Sequence, residues 1–303
     1  MVVPLLMLAG LWLGQPAWAG DEEAACRPVH HAMGESCVPA SPRRVVVLDT
    51  GELDMALALG VMPIATTTPY QVGGFPDYLA IGDTPPHSLG VIQEPDVERI
   101  LRLAPDLILG SRQRHGRLYP LLSRLAPTVF SASLGADWEA NFRLFARALG
   151  KEGEAERFLA GLDARCRRIA RFAERLGDPA ISLVRSMQTH VRLYLPDSFA
   201  GSLLARCGLA RPAPQSAAGV VRQLTNPRQI QALDGDIILL SEYAPEQGSL
   251  IRRWQDTPFW SLIEGQVYEV ADDYWMLGIG PLAAERALDA LERILREAHD
   301  EPH

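Results

Sequence analysis

Lysine is nearly absent: of 29 basic residues Lys151 alone is lysine, in a chain whose net charge is −8. No run of basic residues occurs, and an acidic chain without one argues against nucleic acid as a partner. An arginine bias of this kind follows from a GC-rich genome, so a single Arg is a weak signal. Also missing are a G-x-G-x-x-G after a strand-like run, a P-loop, a G-x-S-x-G elbow and an H-E-x-x-H pair. Their absence leaves the common nucleotide-binding, hydrolase and zinc-protease patterns without support. Cysteine is scarce, with Cys26, Cys37, Cys166 and Cys207 and no CxxC. His30-His31 falls in a lead-in segment and the other histidines are scattered, so no spacing predicts a protein-built metal site.

What is present begins with an address. Residues 1–19 are apolar and end in Ala17-Trp18-Ala19, followed at once by Asp21-Glu22-Glu23. That reads as a cleavable signal peptide and a periplasmic protein, although no cation precedes the apolar run. The run is too short for a stable membrane span. Four cysteines suit an oxidising compartment. Cys26 and Cys37 are close enough in sequence to staple the start of the mature chain. For Cys166 and Cys207, a bridge and two buried thiols fit equally well.

The middle of the chain is organised by one stretch, 151–177. Apolar residues at Ala155, Phe158, Leu159, Leu162, Cys166, Ile169 and Ala173 step by three and four, which puts one stripe on a helical face. Acids (Glu152, Glu154, Glu156) crowd its start and arginines its end, as the helix dipole prefers. Gly177-Asp178-Pro179 stops it. Such a rod is roughly 40 Å long. Strands and helices alternate on both sides of it, which predicts an α/β fold of two Rossmann-like lobes joined by a single long helix. The division is a leader at 1–19, one lobe at 20–150, the linking helix at 151–177 and a second lobe at 178–303. In such sheets ligands sit at the carboxyl ends of strands.

Cations fall at those ends. Arg112, Arg114 and His115 follow the strand closing at Gly110, Arg185 ends a strand of the second lobe, and Arg192 with Tyr194 lies on its neighbour. Arg192 and Tyr194 share a face by the period of two. If both sets meet in one cleft they form a cationic pocket suited to carboxylates, because the guanidinium fork matches them. Trp275, in the loop after the last strand, is either a stacking surface for a ligand or a core residue. Phe75 and Tyr78 are weaker aromatic candidates. Ser111 with His115 is the nearest approach to a catalytic pair, and its spacing matches no known arrangement.

Several segments in order resemble the ferric-siderophore binding proteins of bacterial ABC importers. They are His30 to Gly34, Val38 to Asp49, Pro95 to Gly110, Arg114-His115, Val191 to Tyr194, Asp197 to Ser202 with Cys207-Gly208-Leu209, and Asp272 to Trp275. The resemblance covers nearly the whole mature chain and is strongest to ferric citrate and citrate-hydroxamate binders. It implies two lobes on a stiff helix with small closure, and a monomer. It also implies an anionic ligand held by Arg112, Arg114 or His115 from one side and Arg185, Arg192 and Tyr194 from the other, with Trp275 against its apolar part. The siderophore would supply the iron's ligands, so no cofactor of the protein's own is expected. Glu98 matches a position that docks on the inner-membrane permease, which works with its ATPase; the matching position in the second lobe is Arg228 in place of Glu. The alternatives are a haem or corrinoid binder of the same fold, a surveillance or signalling receptor, and a two-lobed enzyme.

Overall fold

The computed structural model describes residues 26–69 and 74–300. The leader expected at 1–19 and part of the long loop of the first lobe lie outside the described residues. The chain enters through a hairpin in place of the extended lead-in expected from sequence. Strands β1 (Cys26–His31) and β2 (Gly34–Pro39) pair antiparallel. Gly34, at φ +129°, takes a backbone conformation that side chains disfavour. The Cys26–Cys37 disulfide ties the two strands together.

The first lobe follows. It comprises β3 (Val45–Val47), α1 (Thr50–Ala58), β4 (Ala65–Thr68), β5 (His87–Val91), β6 (Glu94–Pro95) and α2 (Val97–Leu103). It then continues through β7 (Leu107–Ser111), the short helices α3 (Arg112–His115) and α4 (Tyr119–Leu122), β8 (Thr128–Ser131) and α5 (Trp138–Leu149). Its sheet runs β6-β5-β4-β3-β7-β8, parallel except for the edge pair β5–β6. Val45, Val46 and Val47 are all buried, as a strand covered on both faces requires. Because β3 pairs with β4 on one side and β7 on the other, the strand order reverses there, and a crevice opens at the carboxyl ends. Strand β5 carries Gly90 among polar neighbours, so no strand-like run marks it in the sequence.

Helix α6 (Glu152–Arg175) is the rod expected from the apolar stripe, which is buried at Ala155, Leu159, Leu162, Cys166, Ile169 and Ala173. Gly177 (φ +84°) and Asp178 (φ +56°) turn the chain out of it. A second disulfide, Cys166–Cys207, fastens the rod to the second lobe.

That lobe contains β9 (Ile181–Ser186), β10 (Val191–Tyr194), α7 (Phe199–Arg206), β11 (Val221–Leu224), β12 (Ile237–Glu242), α8 (Leu250–Gln255), β13 (Gln266–Glu269) and α9 (Pro281–Asp300). The sheet order is β11-β10-β9-β12-β13. Only β9, β12 and β13 are parallel; β9–β10–β11 is an antiparallel meander, so the alternation of elements overstated how parallel this sheet is. One hydrophobic core joins the lobes, including Leu53 and Phe142 from the first, Leu162 from the rod, and Leu183 and Leu288 from the second. Asp54 of α1 reinforces this by accepting hydrogen bonds from Leu282 N and Ala283 N, both 2.9 Å, at the first turn of α9. The buried carboxylate thus satisfies two amides that the helix itself leaves without partners.

Candidate functional site

A cleft of about 510 Å3 lies where the two lobes face each other. That volume is in the range of pockets for small molecules. Its first wall is built from Gln113 and Arg114, just beyond β7, and from the loop after β8 that carries Leu134 and Asp137. Its second wall has Tyr194 at the end of β10, Phe199 at the start of α7, and Trp275 with Met276 beyond β13. The walls are therefore strand ends and helix starts, as the crevice rule for α/β sheets requires.

Arg114 brings a cation to the first wall. Its Nε lies 2.6 Å from Oδ2 of Asp49, a buried residue at the end of β3. The side chain remains 35% exposed, and no partner engages its two terminal nitrogens among the described residues. Two switch-point strands thus supply a carboxylate and the guanidinium it holds. Glu52, one turn along α1, is buried, and burial first, then the Asp49 charge, pushes its carboxyl up to about 8. It is uncharged at neutral pH and leaves the Arg114 cation intact.

His115 sits one residue on and is buried off the cleft. Its Nε2 donates to Ile92 O at 2.9 Å, its ring lies against Phe130, and burial lowers its pKa below the ordinary value. Of the three first-lobe candidates only Arg114 lines the cleft; Arg112 is exposed at the start of α3.

The second-lobe group converges on one sheet face. Arg185 pairs directly with Arg192 across β9–β10, and Arg192 and Tyr194 alternate onto the same side. Two like charges opposite each other disfavour a sheet. Here Arg185 is neutralised: its Nε donates to Asp272 Oδ1 at 2.6 Å, a terminal nitrogen pairs with Asp272 Oδ2, and Nη1 donates to the Tyr194 hydroxyl at 3.2 Å. The guanidinium also stacks 4.5 Å from the centre of the Tyr243 ring. Arg185 is 4% exposed and sits behind the cleft wall, whereas Tyr194 is on it. Arg192 is partly buried, donates from Nε to His190 Nε2 at 3.0 Å, and is likewise off the wall. Trp275 belongs both to the core and to the wall, at 1% exposure, and its indole Nε1 has no hydrogen-bond partner among the described residues.

Among the described residues the cleft wall therefore offers one cation (Arg114), one phenol (Tyr194), two carboxyl side chains (Asp137 and Asp197) and a patch of aromatic and aliphatic surface. Sequence reading missed Asp49, Asp272, Tyr243, Gln113 and Phe199. The two aspartates carried a usable signal, since each lies two or three residues beyond a strand; the partners that give them meaning are 65 and 87 positions away, beyond any local pattern. Among the described residues, no group of three or more His, Cys, Asp or Glu is gathered to hold a metal ion, and no helix is long and apolar enough to cross a membrane.

Residues 45–274 match the family model of the periplasmic binding proteins. The chain belongs to the periplasmic binding proteins. Among this family's members, a probable siderophore-binding lipoprotein, YfiY of Bacillus subtilis, is 32% identical over 284 residues, 88% of this chain and 86% of its own. The achromobactin-binding periplasmic protein of Dickeya dadantii is 32% identical over 270 residues, 84% of this chain and 86% of its own. The crystal structure of Staphylococcus aureus SirA complexed with staphyloferrin B superposes with a TM-score of 0.80 at 26% identity, over 89% of this chain and 98% of that one. The superposition shows that this chain and SirA share their fold.

Proposed function

We propose that this periplasmic binding protein takes an anionic ferric siderophore in the cleft and delivers it to an ABC importer for iron uptake. The observation that carries the reading is the meeting of the Arg114 guanidinium and the Tyr194 hydroxyl with Trp275 and Met276 in one cleft. A metal chelate wrapped in carboxylates needs donors for its oxygens and flat apolar surface for its backbone, and both are on the wall. The named substrates of the relatives above support the same class. A haem or corrinoid would be served by a reachable histidine, and His115 is buried off the cleft.

In this reading the siderophore supplies every iron ligand and the protein contributes no cofactor and no catalysis. The chain works as a monomer, with lobes at 20–150 and 178–303, after removal of a leader at 1–19 on export to the periplasm. Glu98, whose side chain is 89% exposed on α2, offers a carboxylate to the permease. Arg228 is exposed on the second lobe, so the carboxylate offered there would have to come from Glu242 or Glu246.

Intrinsic tryptophan fluorescence tests the reading. Ferric citrate, a ferric citrate-hydroxamate and a ferric trihydroxamate are titrated against the mature protein, each beside its iron-free form. One ferric complex should quench saturably at micromolar concentration or below, about 8 kcal/mol of binding. Silence with all three, and binding of haem or a corrinoid instead, would overturn the assignment.

A further inference from the structure

We infer that Asp272 is a positioning residue that acts through Arg185 to aim the Tyr194 hydroxyl proton into the cleft, so that Tyr194 donates to an anionic oxygen of the ligand. The claim rests on the ferric-siderophore reading for the identity of that oxygen, and on geometry for the rest.

Arginine has donors and no lone pair to offer. The Arg185 Nη1 contact at 3.2 Å therefore makes the Tyr194 oxygen the acceptor. That leaves the phenol's own hydrogen to find an acceptor elsewhere, and among the described residues none takes it. Tyr194 lines the cleft and Arg185 does not. The free hydrogen accordingly has the cleft as its outlet, and the group it presents is a donor polarised by a cation behind it.

Arg185 holds this position because it cannot turn. Both oxygens of Asp272 engage it, Ser241 Oγ donates to Asp272 Oδ1 at 3.1 Å, and the Tyr243 ring covers its face. The fork-on-carboxylate contact fixes the guanidinium plane as well as its place. The first lobe repeats the logic in shorter form: buried Asp49 takes Arg114 Nε and leaves the terminal nitrogens of that fork uncommitted. Each lobe thus presents one oxygen-seeking donor, backed by an aspartate that is buried in the first lobe and partly buried in the second. Arg185, which sequence reading assigned to the ligand itself, becomes the link between Asp272 and Tyr194.

The test uses the full mature chain and four variants: Asp272→Asn, Tyr194→Phe, the two combined, and Arg185→Met with Asp272→Asn. The last removes both charges of the pair together and keeps a folded protein if an unpaired Arg185 proves too costly. Ferric citrate is the probe. Asp272→Asn and Tyr194→Phe should each weaken it at least fivefold, and the combined variant should be no weaker than Tyr194→Phe within about twofold. Additive losses, or an Asp272→Asn protein that binds like wild type, would overturn the proposal. A purely structural role for Asp272 would give that additivity. A second readout needs no ligand: in protein labelled with 13C at the tyrosine Cζ, the Tyr194 signal should move in Asp272→Asn and in the Arg185→Met pair. An unmoved signal refutes the positioning claim whatever the cleft binds. Wild-type protein that binds no ferric complex sinks the functional reading alone, and the Tyr194 signal then decides the positioning claim.

Discussion

Arg114 and Glu52 both feel the Asp49 charge, which pairs with the first and repels the second, and their fates diverge. Arg114 keeps its charge on the cleft wall. Its replacement by Ala removes the wall's cation and strands a buried carboxylate, so affinity for an anionic ligand should fall at least tenfold, about 1.4 kcal/mol. Arg112→Ala, at an exposed position off the wall, should change it less than twofold; fluorescence titration of both variants checks the contrast. Glu52 gives a pH effect of definite sign. Its carboxyl is raised from 4.5 to about 8, chiefly by burial. The folded chain therefore holds a proton there that the unfolded chain releases from about pH 4.5 upward. Stability from this group is full below that point and is lost as pH rises through about 8. Glu52→Gln keeps the shape without the titration, so its stability relative to wild type should improve by on the order of 4 kcal/mol between pH 5 and pH 9, measured by urea unfolding at each pH.

At the scale of elements, α6 was readable because its apolar stripe, acidic start, basic end and Gly177 stop all agree. Parallel strands such as β3 and β7 were readable as short β-branched runs for the same reason. Strands β5 and β11 were not, because each is short, largely exposed and rich in polar residues or glycine, so propensity is silent and pairing alone makes them strands. The site divides along the same line. Tyr194, Arg114 and Trp275 stand next to strand ends, where position announces them. That Arg185 is engaged by Asp272 and His115 by Ile92 O is a matter of distant partners, which periodicity does not see. The Cys166–Cys207 bridge was undecidable from sequence for this reason too: a stripe position explains a buried thiol as well as a bridged one. The bridge ties α6 to the end of α7, the helix whose first residue, Phe199, lines the cleft. Closing a loop of 41 residues is worth about 4 kcal/mol by chain entropy. Replacing Cys166 and Cys207 with Ala should lower unfolding free energy by roughly that amount in a urea titration without reductant, and reductant, which opens Cys26–Cys37 in both proteins, should close the gap between wild type and variant.

For the whole molecule, the question is whether two lobes on a rod behave as two folding units. The rod alone would allow it. The core does not, because Leu53, Leu162 and Leu288 belong to one continuous apolar cluster, and α9 of the second lobe is capped by Asp54 of the first. A boundary crossed by a shared core and a buried helix cap transmits the loss of one side to the other. Urea unfolding should therefore be a single transition, coincident by tryptophan fluorescence and by far-ultraviolet circular dichroism, with Trp138 reporting from the first lobe and Trp254 from the second. Asp54→Ala strips two amides of their acceptor in a buried setting, which costs about 1–3 kcal/mol. It should move that one midpoint down for both probes together. Two separated transitions in the wild type would mean that the lobes fold independently and that the core between them is contact without coupling. A midpoint unmoved by Asp54→Ala would mean that the cap is dispensable and that apolar packing alone holds the lobes at the separation the cleft requires.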